Sequence, residues 1–564
     1  MMKPPSITTF VCLCLPLLAP SIASQNLGEL LPTPFIPQEA DPIAQYEKYM
    51  ERLPFVYHTW GRTVLARTRT DEALALLLED YRKPPANEEF ARYTMSELFG
   101  KYFDRALWAD PFAQLRKKHD GPGDMWMWVN TLALSDDAED TSSVLQLIRE
   151  SKSVLHKAAA IEALTLRGRE AVIDVIPEVC ATFPRKSKPG ERRLLIGALS
   201  GAILANKGNL SDPRMQKATR AYINLLAEDV GLTHSASMVV SRHLARTFGI
   251  NQSDIAPEPW IRLLERTSSS ATRPSGTRSQ LRFFGIEAKG DRICYVIDMS
   301  NSMLEPIDPE LLKKGPVTGP RKRGQIPDEN DIPWHKIKTR FDLAREHLKI
   351  SIQRLSDDKR FCVVWFGDDS DVLRTTPGLI KATRSNVSRV VRELDAIEAG
   401  PLPPNLSVED APYGYLKGKT NLHGGLVRAF SMRAKGMAHE HGYIDLKSLA
   451  EGCDTIFLIS DGAPSFDDFD VVDVPYDDVV IVRDGEYGRR SEAVHDVTYP
   501  GPMVYPSWVY AELRRLNAFR KVPVHCVGIG EADIKLLRAL AEVSHGEVYV
   551  LGAKASTPVK KPPR

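Results

Sequence analysis

Two hydrophobic periodicities divide this chain. From residue 42 to about 265 apolar positions recur at helical spacing. In residues 71–83, Ala73, Leu76, Leu77 and Tyr81 fall near one face, and Pro84-Pro85 ends the pattern. Similar segments at 144–149, 154–166, 171–182, 192–205, 215–228 and 236–248 follow, separated by polar breaks such as Arg167-Gly168-Arg169. Helices recurring roughly every twenty residues predict a helical-repeat domain over residues 42–265, with an irregular bundle as the alternative. Residues 266–280 are rich in Ser, Thr, Arg, Pro and Gly with no apolar face, and read as a linker. Beyond them the pattern changes. Short apolar runs at 292–299, 360–366, 371–375, 455–460, 522–528 and 547–551 read as strands. Helical patterns at 340–355, 386–394, 425–433, 507–517 and 533–543 alternate with them. Strands and helices in alternation predict an α/β domain over 281–553, a doubly wound, mostly parallel sheet of Rossmann-like form. Three long insertions, 303–338, 398–418 and 463–506, interrupt it.

Composition adds little: 564 residues, 43% hydrophobic and 26% charged, describe an ordinary folded protein. A formal net charge of +1 gives no electrostatic case for nucleic acid or a membrane surface. The N-terminus is more informative. Lys3, the short apolar core Phe10-Val11-Cys12-Leu13-Cys14-Leu15-Pro16-Leu17-Leu18-Ala19 and the small-residue site Ser21-Ile22-Ala23 read as a secretory signal peptide over residues 1–24. A membrane anchor needs about 20 apolar residues, and Pro16 and Pro20 interrupt this stretch. The expected mature protein is exported, periplasmic or extracellular, with no membrane span after cleavage. Residues 25–41 read as an extended lead-in and 554–564 as a disordered tail. Of seven cysteines, five lie beyond the signal: Cys180, Cys294, Cys362, Cys453 and Cys526. Most sit in apolar runs, so buried free thiols are expected rather than a disulfide framework.

The candidate chemistry lies at strand ends. Ile293-Cys294-Tyr295-Val296-Ile297 runs into Asp298-Met299-Ser300-Asn301-Ser302, which delivers one carboxylate and two hydroxyls to one point above a sheet. Thr420 offers a further hydroxyl on a Gly-containing loop, and a second apolar strand ends in Asp461-Gly462. Oxygen donors of this kind suit a hard divalent cation.

The order Asp-x-Ser-x-Ser, Thr, Asp-Gly resembles the metal-ion-dependent adhesion site of the von Willebrand factor type A (VWA) family, over roughly residues 283–551. All five positions are filled, by Asp298, Ser300, Ser302, Thr420 and Asp461. The helical half is similar in spacing to HEAT or armadillo arrays. The VWA resemblance implies a Mg²⁺ site (Mn²⁺ or Ca²⁺ also possible), with Ser300 and Ser302 binding directly. It implies Thr420 and Asp461 completing the shell directly or through water, and Asp298 holding it through water and hydrogen bonds. The implied partner is a protein presenting an Asp or Glu carboxylate as the last ligand, and the implied role is a binding module of an exported bacterial-type protein, not an enzyme. The alternatives are a scaffold whose helical domain carries recognition while the metal stabilises the fold, and a metal-dependent hydrolase. No phosphate loop, nucleophile elbow or His-Glu-x-x-His pair supports the last.

Other clusters read as ordinary surface or core. Lys313-Lys314 with Arg321-Lys322-Arg323, and the aspartates from Asp467 to Asp478, have the character of solvated loops. His439-Glu440-His441 matches no defined metal site, and Trp126 and Trp128 read as helical core.

Overall fold

The computed structural model describes residues 41–51, 55–83, 88–103, 138–168, 170–250, 254–268, 282–283, 286–287, 290–307, 327, 331–397, 418–437, 446–465, 467, 471–472, 498–499, 502–530 and 532–551. The expected signal peptide, lead-in and tail lie outside the described residues. So do Trp126, Trp128, His439-Glu440-His441, the basic cluster and most of the acidic run.

Eleven helices are described before the sheet: α1 Pro42–Met50, α2 Phe55–Thr68, α3 Asp71–Arg82, α4 Glu88–Tyr102, α5 Ala138–Glu150, α6 Val154–Leu166, α7 Val172–Ala181, α8 Pro189–Ala205, α9 Pro213–Ile223, α10 His234–Phe248 and α11 Pro257–Ser268. Polar caps start several of them: the Thr70, Ser153, Asp212 and Thr233 side chains accept from backbone N–H groups of the first turn. From α5 onward each helix packs on the one two places further along, so α5, α7, α9 and α11 form one layer and α6, α8 and α10 a second layer packed against it. α11 runs into the first residues of the expected linker, and 269–281 lie outside the described residues.

The sheet has seven strands: β3 Arg292–Asp298, β4 Arg360–Phe366, β5 Ser370–Val372, β6 Ile380–Lys381, β9 Thr455–Ser460, β12 Val524–Ile529 and β13 Val548–Leu551. Three two-stranded pairs lie apart from it: β1 Arg282–Phe283 with β2 Ile286–Glu287, β7 Met432–Arg433 with β8 Gly436–Met437, and β10 Val471–Val472 with β11 Thr498–Tyr499. The order is β13-β12-β9-β3-β4-β5, with β6 also on β4. Every pair from β13 to β4 is parallel, and β5 and β6 are antiparallel to β4. The chain is thus an α/β protein with a mostly parallel mixed sheet and a helical N-terminal part. Six further helices belong to this half: α12 Arg340–Gln353, α13 Arg384–Asp395, α14 Leu422–Ser431, α15 Leu446–Glu451, α16 Pro506–Asn517 and α17 Ile534–Ser544.

The central strands are buried on both faces, which is why they read as unbroken apolar runs. Ile293, Tyr295 and Ile297 join Phe341, Leu348, Val390 and Leu394 of α12 and α13. Cys294 and Val296 face the other way, toward Leu426 of α14, Leu513 of α16 and Leu540 of α17. That second cluster continues without a break into Leu194, Leu199 and Val240 of the helical half. The five cysteines among the described residues are free, and all but the half-buried Cys180 are buried. No helix among the described residues is long and apolar enough to cross a membrane.

The two halves meet closely. An added Cβ at Gly197 of α8 would lie 1.9 Å from the Phe519 carbonyl oxygen, and one at Gly190 2.2 Å from the Leu446 carbonyl oxygen. Glycine lets the backbones touch there. Arg242 of α10 pairs with Asp291 and Asp454, which lie just before β3 and β9, and Lys521 pairs with Glu162 of α6. The helical layer therefore docks at the amino ends of the two central strands.

His243 is buried at this junction, with Nδ1 3.1 Å from the Tyr222 hydroxyl. Burial, and then the Arg246 and Arg193 cations, hold its pKa well below 6.5. In the unfolded chain it titrates near 6.5. Below that pH the unfolded state binds a proton that the folded state refuses, so stability falls as pH drops, by up to ~1.4 kcal/mol per pH unit from this group. In urea unfolding between about pH 7 and pH 5, His243→Gln is expected to show a flatter pH dependence than the unmodified protein. An unchanged slope would refute a neutral His243.

Candidate functional site

β3 and β9 are parallel neighbours, so both carboxyl ends open on one edge of the sheet. β3 ends at Asp298 and β9 at Ser460. Ser300 and Ser302 follow the first strand, and Asp461 follows the second. The third segment is pinned alongside by its backbone. Asn301 N donates to Gly418 O at 2.9 Å, and Asn421 N donates to Gly367 O at 2.9 Å. Lys419 N donates to Asp368 Oδ1 at 2.6 Å. Gly418 needs to be glycine twice over: its φ is +43°, and an added Cβ would lie 2.2 Å from the Asp368 carboxylate. Asn421 then caps α14, accepting from Gly424 N at 2.7 Å. Thr420 is tied to the loop after Asp461 by two hydrogen bonds. Its N–H donates to Ser465 Oγ at 3.0 Å, and its carbonyl accepts from Ser465 N at 3.1 Å.

The side chains form one polar group. Ser300 Oγ and Ser302 Oγ are 3.0 Å apart, and Ser302 Oγ donates to Asp461 Oδ1 at 2.7 Å. Asp298 forms the floor, accepting from Ser300 N at 2.9 Å and from Ser460 Oγ at 2.6 Å. A Cβ on Gly462 would sit 3.8 Å from both Ser302 Oγ and Thr420 Oγ1, so these two hydroxyls border the same point. Asp298, Ser300, Thr420 and Asp461 are buried, while Ser302 is half-buried beside exposed Asn301. The group is thus open on the Ser302 side.

The electrostatics set two buried carboxyl groups against each other. Burial, and then the neighbouring Asp461, push the Asp298 carboxyl up to about 7, against the hydrogen bonds from Ser300 and Ser460 that pull it down. A divalent cation beside both carboxylates would remove that conflict. The donors are two carboxylates and three hydroxyls, all oxygen, and they fit Mg²⁺ or a similar hard ion. Among the described residues no three His, Cys, Asp or Glu side chains cluster as a metal-holding group. The candidate set has only two such side chains, its other members being hydroxyls.

Two residues escaped the sequence reading. Ser460 holds the Asp298 floor, one position before Asp461; only its inward strand-end place would have marked it. Arg340 had no local signal at all. It begins α12, yet its Nη1 lies 2.8 Å from Asp461 Oδ2 and its Nη2 meets Glu305. Gly530 leaves it room, since a Cβ there would lie 2.6 Å from Arg340 Nε. A guanidinium therefore already compensates the outer oxygen of Asp461 and opposes a second cation nearby. Arg340→Met is expected to strengthen Mg²⁺ binding on the order of tenfold, about 1.4 kcal/mol. The same change should cost about 3–5 kcal/mol of stability without Mg²⁺, by leaving a buried carboxylate unpaired. Calorimetry and urea unfolding in EDTA measure the two effects, and weaker Mg²⁺ binding in the variant would contradict this role.

No known protein-family model matches the chain, and no curated protein matches it in sequence.

Proposed function

We propose that this chain is an exported VWA-type protein in which a doubly wound domain binds a protein partner through a divalent cation, behind an N-terminal array of helical repeats. One observation carries the reading: three segments far apart in sequence bring Asp298, Ser300, Ser302 and Asp461 into one hydrogen-bonded group, with Thr420 at its border, at the carboxyl ends of the two central strands. That edge is where open α/β sheets bind ligands. Ser300, Ser302, Thr420 and Asp461 would hold the ion, and Asp298 would orient Ser300 from below. A bound cation with mostly neutral ligands would keep an electrophilic position for a partner's Asp or Glu carboxylate. The role is binding, with no catalytic step.

The test is capture of a partner from the native exported fraction on immobilised protein, in Mg²⁺ and in EDTA. Retention in Mg²⁺, release in EDTA and loss with Asp461→Asn are expected. Equal retention in EDTA would move recognition to the helical half.

A further inference from the structure

A second polar cleft lies at the other end of the sheet, where the helical layer docks. It is a small cleft, with a cavity volume of about 20 Å³, and it opens to solvent. Arg193 of α8, Arg242 and Arg246 of α10, and Arg520 and Lys521 just after α16 all line it, against one carboxylate, Asp454. Some of this charge is compensated. Lys521 Nζ lies 2.9 Å from Glu162 Oε1, and Arg242 is shared between Asp291 and Asp454.

Arg193 and Arg246 differ. Arg193 donates to Leu449 O at 3.3 Å and to Ser235 O at 3.1 Å, and Arg246 donates to Lys521 O. Among the described residues neither meets a carboxylate. Carbonyl oxygens satisfy N–H donors but do not cancel a full charge. Both guanidiniums feel the excess. Burial, then Arg292 and Arg242, pull Arg193 down to about 9, and burial followed by Arg242 pulls Arg246 down to about 10, with the single Asp454 carboxylate offsetting only part of each shift. Two like charges left partly buried and unmatched are costly, and a rigid dock has no need of them, since its apolar contacts and the Arg242 and Lys521 pairs already join the halves. The backbone is also strained here. Lys521 has a φ of +51°, a left-handed conformation that costs a non-glycine residue roughly 1–2 kcal/mol.

We propose that this cleft binds a small inorganic oxyanion of the phosphate or sulfate type. Arginine forks suit two oxygens of such an ion at once. Arg193 comes from α8 and Arg246 from α10, and Arg520 and Lys521 of the α/β half line the same cleft, so one ion would lie between the two halves of the chain. The site is separate from the cation site, which lies at the carboxyl ends of the same strands.

The experiment uses the full chain and inorganic phosphate. Isothermal calorimetry is expected to show saturable binding tighter than about 1 mM. The thermal midpoint should rise with the logarithm of phosphate concentration at fixed ionic strength. Arg193→Gln should weaken phosphate binding at least tenfold, leave Mg²⁺ binding unchanged, and raise the midpoint in phosphate-free buffer because one unmatched charge is gone. A purely structural arginine would instead lower the midpoint in both buffers. Arg246→Gln should behave as Arg193→Gln does. No saturable heat with the unmodified protein, an equal rise with chloride at the same ionic strength, or phosphate binding intact in both variants would overturn the proposal.

Discussion

Replacing Asp298 with Ala should lower Mg²⁺ affinity at least ~100-fold, about 2.7 kcal/mol, while leaving the fold intact. The carboxylate contributes in two ways. It supplies negative charge beneath the donors, and it fixes the first serine, since Ser300 N donates to Asp298 Oδ1 at 2.9 Å. Losing it therefore removes attraction and loosens a donor together. Stability should not suffer in proportion. Asp298 is fully buried and its carboxyl is pushed up to about 7, so its ionised form is disfavoured in the cation-free protein. Its folded pKa lies above that of the unfolded chain, so this penalty is absent at acid pH and grows as pH rises toward 7. Asp298→Asn, which keeps the shape, should accordingly match or exceed the unmodified protein in EDTA above neutral pH, yet still lose Mg²⁺. Calorimetry gives the affinity, and circular dichroism with urea unfolding gives the rest. Unchanged Mg²⁺ affinity in the alanine variant would remove Asp298 from the site.

The second large effect is expected at Gly197. In an exposed helix, Gly→Ala stabilises by roughly 0.8–1 kcal/mol through helix propensity. Here the sign should reverse. The added methyl would lie 1.9 Å from the Phe519 carbonyl oxygen, and that neighbour is backbone, which cannot swing aside. Gly197→Ala is expected to cost about 1–3 kcal/mol, and Gly197→Leu more, by prising the helical layer off the α/β half. Gly208, with nothing within 4 Å of an added Cβ, is the control and should tolerate Ala. Urea unfolding of the three variants separates the effects. A stabilised Gly197→Ala would show that the halves do not touch as described.

Much of the α/β half was legible because its core strands are buried on both faces. The apolar runs at 360–366 and 455–460 coincide with β4 and β9. Helix starts were read late because the pattern begins with the first apolar residue, whereas the chain begins with its cap. The apolar spacing gives residues 215–228 and 192–205, but α9 starts at Pro213 behind Asp212 and α8 at Pro189. The far end of the first was overrun: α9 stops at Ile223 and gives way to tight turns at Asn224–Leu226 and Glu228–Val230. Short α15 carried too few residues to show a period.

The candidate cation group was legible in a graded way. Asp298, Ser300 and Ser302 share one local motif, whereas Thr420 and Asp461 join them only through the order of motifs along the chain. Arg340 could not be seen, because its closeness to Asp461 is a product of how α12 crosses the sheet edge. The glycine contact of α8 and the arginine cleft were hidden for the same reason. Gly197 and Arg193 look like any glycine and arginine until Phe519 and Leu449 lie opposite them.

The pairing of β3 with β9 also governs how the chain reaches this structure. Ile293 lies opposite Thr455, so the middle of the sheet closes only after a long stretch of intervening chain has formed. Closing so large a loop costs entropy before any contact repays it, and pairings of this kind fold slowly. Until β9 arrives, β3 presents an apolar edge with open backbone groups, a template for pairing with other chains. The hydrogen-bonded group of Asp298, Ser300, Ser302 and Asp461 cannot exist in that interval, because its two aspartates are still apart. A chain in which β3 still lacks β9 is therefore the species open to such pairing.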